Sequence, residues 1–165
     1  MEGGAGDRMK RYDRDYGACE EALSAAALKG QPTEAKMAAV VDALWASLKD
    51  CGVAWLGFYA IAGDRETMIL RSCTPKPACS PIGLNGVCGR GWLERRTQIV
   101  PDVHALGEAH IVCDPLNLSE IVVPLINEDG SCDAVLDVDS RELDAFGEAD
   151  DRGLARVLRA AHLTI

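Results

Sequence analysis

Two pairs of strand-like segments, each closed by a short turn, constrain the fold of this chain more than any other feature. The first pair joins V-A-W-L-G-F-Y-A-I to T-M-I-L-R-S-C through A-G-D-R, and the second joins S-E-I-V-V-P-L-I-N to C-D-A-V-L-D-V-D-S through E-D-G. Branched and aromatic runs on both sides of such turns are typical of β-hairpins. Because a hairpin joins antiparallel strands, we expect a mainly antiparallel sheet.

Helical segments precede and follow these hairpins. Residues 13–29 are acidic and alanine-rich, a helix with Thr33 as a predicted N-cap follows, residues 87–96 form a short helix, and residues 146–163 form the last one. Nine apolar side chains recur at helical spacing and are predicted to face the core: Met37, Val40, Val41, Leu44, Leu48, Leu154, Val157, Leu158 and Ala161. This order predicts an α+β domain with helices on one face of the sheet and a loop-covered pocket on the other.

Length and charge exclude several classes of function. The chain has 165 residues and a formal net charge of −9, which fits one domain and disfavours binding to nucleic acid phosphates. Its longest apolar run, residues 53–62, is too short to cross a membrane. Seven cysteines without a dense framework, and a start without a signal-peptide pattern, favour the reducing cytoplasm. We expect residues 1–12 to be poorly ordered and residues 13–165 to form the domain.

Three cysteines lie in the irregular middle of the chain, at Cys79, Cys88 and Cys113. A single cysteine is more often a small buried hydrophobe, but three in loops favour chemistry. With His110 they could supply four zinc ligands, yet the spacing lacks the short C-x-x-C type of pairing, so no metal is predicted. The remaining cysteines are assigned to helices and strands without a functional role: Cys19, Cys51, Cys73 and Cys132.

Three acidic residues are predicted to share one sheet face. Asp137 and Asp139 are two apart on a strand, and Glu120 begins the neighbouring strand of the same hairpin. Like charges on one face destabilise each other unless the face is solvated, a cation lies between them, or a carboxyl stays protonated. The alternatives are therefore an exposed sheet end and a pocket for an ammonium group.

Trp55 and Tyr59 also share a face of the first strand, while Phe58 takes the other face. Such aromatic residues are most often core, but Gly57 between them indicates a bulge or a close approach and makes a pocket wall conceivable. The remaining polar candidates, His104 and His110, lie in the long loop of residues 101–117 and are expected to be solvent-exposed.

These motifs together resemble a known family. K-P-A-C, G-V-C-G, I-V-P-D-V-H, H-I-V-C-D, S-E-I-V-V-P-L, V-L-D-V-D-S and W-L-G-F-Y, spread over roughly residues 20–160, resemble the free methionine-(R)-sulfoxide reductases, which are GAF-domain enzymes. The resemblance implies a GAF fold, reduction of free methionine-(R)-sulfoxide to methionine, thioredoxin as the external reductant with no bound cofactor, and a homodimer.

The resemblance also implies roles for individual residues. Cys113 is the nucleophile, which becomes a sulfenic acid; Cys79 resolves it as a disulfide; and Cys88 is an auxiliary thiol. Substrate binding and proton transfer are implied for Glu120, Asp137 and Asp139, and a pocket lining for Trp55 and Tyr59. The sequence departs from the family pattern in two places. L-N-G stands before Cys88, where the family has a lysine, and C-D at positions 132 and 133 replaces the usual small residues. The alternatives left open are a non-catalytic GAF sensor of a small molecule and a thiol redox sensor.

Overall fold

The computed structural model of the protein describes residues 12–165. Four α-helices are present there: α1 (Tyr16–Ala25), α2 (Thr33–Leu48), α3 (Val87–Glu94) and α4 (Glu148–Ala160). Six strands accompany them: β1 (Trp55–Ile61), β2 (Thr67–Thr74), β3 (Ile82–Gly83), β4 (Gln98–Val100), β5 (Ser119–Ile126) and β6 (Cys132–Ser140). A 3-10 helical segment, Val103–Ala109, lies within the long loop before β5.

The strands form one six-stranded sheet in the order β3-β2-β1-β6-β5-β4, and every neighbouring pair is antiparallel. Both predicted hairpins are confirmed, because β1 pairs with β2 and β5 pairs with β6. Their inner strands, β1 and β6, pair with each other at the centre of the sheet. The two hairpins therefore place the first strand beside the last one, which brings distant parts of the chain to a single surface.

Most of the core lies between the sheet and the helices α1, α2 and α4. All nine predicted helical core positions are buried in this layer, together with Leu56, Phe58 and Leu136 from the sheet. A second, smaller apolar cluster covers the opposite face and includes Trp55, Tyr59 and Cys88. The sheet thus separates a helical layer from a layer of α3 and loops, as predicted.

Several element ends differ from their predicted positions. The first helix begins at Tyr16, because Asp15 accepts a hydrogen bond from the Ala18 amide at 2.9 Å. The prediction of Thr33 as an N-cap is wrong, since Pro32 occupies that position. The assignment of Cys51 to a helix or strand is also wrong, because it lies in the turn after α2.

Two further expectations concern the start of the last helix and the N-terminal residues 1–12. In α4 the Asp150 carboxylate accepts the Gly147 amide at 2.9 Å and caps the helix just before Glu148, so the helix starts two residues later than predicted. The expected disorder of residues 1–12 falls on a segment of which 1–11 lie outside the described residues. Within residues 12–165, no helix combines the length and the apolar character needed to span a bilayer.

Candidate functional site

Three carboxylates meet on the sheet face that carries α3 and the loops. Glu120 of β5 is directly opposite Asp139 of β6, and Asp137, two residues earlier, is opposite Gly57 of β1. One oxygen from each of the three acids lies within 4.8 Å of the other two. Glu120 and Asp137 are buried, with 6% and 7% of their surfaces exposed, and Asp139 is half-buried. The strand register thus creates a largely buried acid cluster, not an exposed sheet end.

Burial and mutual repulsion keep protons in this acid cluster. Burial raises the pKa of Glu120 to about 7. The pKa of Asp137 is raised by burial first and then by the charges of Asp139 and Glu120. Burial and the charge of Glu120 also raise the pKa of Asp139. At neutral pH the cluster therefore contains at least one neutral carboxylic acid, which can donate a proton.

The acid cluster is also shaped to hold a cation. The buried Oδ1 atom of Asp137 has no hydrogen-bond partner in the described part of the chain. A buried oxygen without a partner is costly, and a bound donor would relieve that cost. The oxygen spacing fits an ammonium group or a metal ion. These acids are the metal-capable group among residues 12–165, and the zinc set rejected from its spacing, Cys79, Cys88, Cys113 and His110, does not form such a group there.

Cys88 lies in the first turn of α3, directly over the acids. Its buried thiol is 3.5 Å from Asp137 Oδ2 and donates toward it. Burial, followed by the neighbouring charge of Asp137, raises the pKa of the Cys88 thiol well above its ordinary value. Cys88 is therefore a neutral hydrogen-bond donor to the cluster, and its high pKa opposes the formation of a reactive thiolate.

The expectation that Cys88 lies in a loop is therefore wrong, whereas Cys79 and Cys113 do lie in loops and are joined as a disulfide. Cys79 and Cys113 are 34 residues apart in sequence, and their Cα atoms are 5.6 Å apart. Both residues are exposed to solvent. The fold thus pairs the two cysteines that the family resemblance assigns to resolving and nucleophilic roles, and it leaves Cys88 out of the bond.

Two aromatic donors attach the Cys79 loop to the sheet face that carries the acids. Trp55 donates its indole N–H to the Lys76 carbonyl at 2.7 Å, and Tyr59 donates its hydroxyl to the Cys79 carbonyl at 2.8 Å. Their ring centroids are 6.3 Å apart on the same face as the acids. Gly57 permits this packing, because a Cβ there would lie 2.6 Å from the Trp55 ring and 2.7 Å from Cys73 Cβ. Both aromatics are thus buried and also contact the loop of Cys79.

The Cys113 loop reaches the acids through a residue that sequence reasoning missed. His110 was expected to be exposed, but only 13% of its side-chain surface is accessible, and its Nδ1 is 4.0 Å from Glu120 Oε1. His104 is exposed as expected. The sequence does place His110 three residues before Cys113. In a loop without periodicity, however, the sequence does not indicate where a side chain points.

An ionic contact also links the two cysteine loops. Asp114 accepts from Lys76 at 3.4 Å and lies 3.7 Å from the Arg141 guanidinium. The pKa of Asp114 is lowered, first by the hydrogen bond from the Leu116 amide and also by Lys76 and Arg141. The loops of Cys79 and Cys113 are therefore held near each other by polar contacts as well as by the disulfide.

The sequences of curated proteins include clear relatives of this chain. It is 41% identical over 106 residues to GAF domain-containing protein A of Dictyostelium discoideum. It is 38% identical over 120 residues to the free methionine-R-sulfoxide reductase of Saccharomyces cerevisiae, and 37% identical over 106 residues to that of Escherichia coli. These matches cover 64%, 70% and 63% of this chain, but they span only 65%, 66% and 61% of the relatives. No protein-family model matches the chain.

Solved structures give fuller coverage. The reduced form of the Staphylococcus aureus fRMsr superposes with a TM-score of 0.80 at 31% identity, covering 90% of this chain and 94% of that one. The free methionine-R-sulfoxide reductase of Neisseria meningitidis, in complex with its substrate, superposes with a TM-score of 0.76 at 31% identity, covering 90% and 89%. A structure described as a GAF domain gives a TM-score of 0.75 at 29% identity. This chain has the GAF fold and belongs to the free methionine-R-sulfoxide reductase family.

Proposed function

We propose that this protein reduces free methionine-(R)-sulfoxide to methionine, using Cys113 as the nucleophile and Cys79 as the resolving cysteine. The observation that carries the proposal is the Cys79–Cys113 disulfide, which joins two loops beside the proposed pocket of three protonatable carboxylates. Both cysteine loops contact that pocket, through Tyr59 for Cys79 and through His110 for Cys113. The reductases of yeast and Escherichia coli support the same activity by their similarity to this chain.

The acid cluster fits the free amino acid that such an enzyme would bind. The α-ammonium group of the substrate would lie against the acids, where it would supply the donor that Asp137 Oδ1 lacks. Trp55 and Tyr59 would line the apolar part of the pocket around the sulfoxide and its methyl group. A peptide-bound methionine sulfoxide has an amide instead of the ammonium group, so the pocket would discriminate against it.

The first chemical step needs a thiolate and an acid together. The Cys113 thiol would first lose its proton to water, and the thiolate would then attack the sulfoxide sulfur while a neutral carboxylic acid of the cluster protonates the oxygen. We assign this acid to Glu120, with Asp137 and Asp139 as its partners in the cluster. The S–O bond to the substrate breaks, methionine leaves as the reduced product, and Cys113 becomes a sulfenic acid. The carboxylic acid loses one proton in this step and becomes a carboxylate.

The second step regenerates a stable cysteine state. The Cys79 thiol condenses with the Cys113 sulfenic acid to give the disulfide and one water molecule. Because both cysteines are exposed, the disulfide is open to thiol exchange with thioredoxin, which would return the two thiols. In this scheme Cys88 stays reduced and donates to Asp137. Neither step needs a bound cofactor or a metal, and the thiol cycle suits the reducing cytoplasm.

The proposal is tested by NADPH oxidation coupled to thioredoxin and thioredoxin reductase. We expect turnover with free methionine-(R)-sulfoxide, and none with the free S epimer or with a peptide that contains methionine sulfoxide. Cys113→Ser should abolish turnover, whereas the matched control Cys51→Ser, at a half-buried turn cysteine, should not. Binding of an amino acid without any turnover by the folded, reduced protein would contradict the proposal and favour a GAF sensor.

The resolving role has a separate test. Cys79→Ser should still convert one equivalent of substrate but should fail to be recycled by thioredoxin, because its sulfenic acid has no partner thiol. Normal steady-state turnover in Cys79→Ser would overturn the assignment.

The proposed assembly is a homodimer, which light scattering should show as twice the 17.6 kDa mass of the chain.

A further inference from the structure

Two histidines form a graded path from solvent to the acid cluster. His104 is exposed and belongs to the 3-10 segment, and the His110 ring lies edge-on to it with the centroids 6.5 Å apart. The next member is Glu120, whose Oε1 is 4.0 Å from His110 Nδ1. Exposure decreases along the path, to 13% for the His110 side chain and 8% for that of Glu120. His104 and His110 belong to one loop and Glu120 belongs to β5, so the fold brings this loop against the strand.

The inference rests on the proposed function, because in that reaction Glu120 must be reprotonated in each cycle. Glu120 gives one proton to the sulfoxide oxygen in each cycle and is left as a buried carboxylate. Before the next cycle this carboxylate must regain a proton. A buried carboxylate is poorly placed to take that proton directly from bulk water, whereas a half-buried imidazole beside it can mediate the transfer.

We propose that His110 relays a proton from solvent to the Glu120 carboxylate after each turnover, with His104 at the solvent end of the path. The imidazole accepts a proton at its outer nitrogen and releases one from Nδ1, which lies 4.0 Å from Glu120 Oε1, through one bridging water molecule. The neutral ring is restored when it changes tautomer, so the net result is one proton moved from water to the carboxylate. No electrons are transferred, and no further reactant is consumed.

The surroundings of His110 suit a relay better than a fixed ion pair. Burial, together with the neighbouring His104, lowers the pKa of His110, so the ring is neutral at physiological pH. Within residues 12–165, the titratable groups that lie close to His110 are Glu120 from β5 and His104 from the 3-10 segment. A neutral ring between a buried acid and an exposed histidine can pass a proton without holding a charge in the buried site.

The relay makes a prediction that a purely structural role does not share. In the first turnover Glu120 starts with its proton, so loss of His110 should leave that turnover unaffected. Later turnovers depend on reprotonation and should slow down. A histidine that only packed the Cys113 loop would, on removal, disturb the first turnover as well, since the position of the nucleophile would change.

The experiment is rapid-quench measurement of methionine formation by His110→Asn with excess free methionine-(R)-sulfoxide. Dithiothreitol is used as the reductant, at concentrations where the wild-type rate no longer rises. We expect a first turnover at the wild-type rate, followed by a steady rate reduced about tenfold, a modest fraction of what general acid–base groups supply. Added imidazole should restore the steady rate in a concentration-dependent way. His104→Asn should show a smaller loss of the same kind.

His162→Asn is the matched control, because His162 is exposed at the end of α4, and its φ of 56° suits asparagine. It should behave as the wild type. The relay is overturned if His110→Asn matches this control, or if its first turnover is slow and imidazole has no effect. If His110→Asn does not fold, His110→Gln replaces it. Absence of methionine formation by the wild-type protein would contradict the proposed function itself, which separates the two failures.

Discussion

Tyr59 donates its hydroxyl hydrogen bond to the backbone carbonyl of Cys79, at 2.8 Å, from the buried face of β1. The two residues are 20 positions apart, and the contact fixes one end of the Cys79–Cys113 disulfide to the sheet face that carries the acids. The position of Cys79, the proposed resolving cysteine, therefore depends on a strand residue as well as on its own loop.

Loss of this contact should slow the resolving step. Tyr59→Phe keeps the ring but removes a hydrogen bond with a net value of about 1 kcal/mol, so we expect the disulfide to form roughly fivefold more slowly after sulfenic acid formation. The measurement is the rate of loss of free Cys79 thiol after one turnover. Tyr16→Phe, which loses a hydroxyl contact to Asp150 in the helical layer, should leave that rate unchanged. Equal slowing in both variants would contradict the assignment.

Cys88 should act as a neutral donor and not as a nucleophile. Because the pKa of its buried thiol is raised, we expect iodoacetamide at pH 8 to modify Cys79 and Cys113 in the reduced native protein and to spare Cys88. Peptide mass spectrometry before and after denaturation measures this difference. Modification of native Cys88 as fast as Cys113 would contradict it.

Removal of the Cys88 thiol should also weaken the acid cluster. Cys88→Ala leaves Asp137 without its thiol donor, and we expect kcat/KM to fall by roughly five- to tenfold while the Cys79–Cys113 disulfide still forms. Cys132→Ala, at another buried free cysteine whose thiol donates to the Ala134 carbonyl, is the matched control. It should lower stability without a comparable loss of kcat/KM.

Gly57 should tolerate no larger residue. In Gly57→Ala the new methyl group would lie within 2.7 Å of the Trp55 ring and of Cys73 Cβ, which forces the pocket wall to shift. Such overpacking lowers the free energy of unfolding by about 1–3 kcal/mol, and the shift should also raise the substrate KM. Gly63→Ala, in the turn after β1 where no atom lies within 4 Å of the added methyl, should have neither effect. Urea unfolding and substrate titration measure both quantities.

The raised pKa of Glu120 predicts how stability depends on pH. The folded protein holds this proton up to a pKa of about 7, whereas the unfolded chain releases it near 4.5, so the folded state binds more protons between these values. Burial of Glu120 therefore costs no stability below pH 4.5. Above that pH the free energy of unfolding falls, until the pH has risen through the folded-state pKa of about 7. Its loss at pH 8 is on the order of 3 kcal/mol.

Glu120→Gln tests this dependence, because glutamine resembles the protonated side chain. We expect the variant to be more stable than the substrate-free wild type at pH 8, and the difference to shrink toward pH 4.5. Denaturant unfolding across this range measures the difference. A gap that stays constant with pH, or grows toward low pH, would contradict the proposed protonation of the cluster.

The fold was largely predictable because its signals are local. The alternation in β1 placed Trp55 and Tyr59 on the face opposite Phe58, and the turn sequences paired the right strands. The same period of two predicted that Asp137 and Asp139 share a face, and the hairpin register added Glu120. What the residues alone left open was whether this face is solvated, since that depends on α3 and two loops that cover it.

Contacts between loops were not predictable from residue patterns. The pairing of Cys79 with Cys113 was implied by family resemblance, because 34 intervening residues without periodicity give no geometry. The burial of His110 beside Glu120 depends on the path of the loop after the 3-10 segment, and the sequence has no signal for that path. The residues of the regular strands were thus placed correctly, whereas His110, which is placed by loop packing, was not.

The central claim is that one turnover converts two specific thiols into the observed disulfide. The most direct test mixes the fully reduced protein with excess free methionine-(R)-sulfoxide in the absence of any reductant. The account predicts one methionine per chain and one new disulfide, with Cys79 and Cys113 joined and Cys88 still alkylatable after denaturation. Methionine formation with the disulfide at another pair, or disulfide formation without methionine, would contradict it.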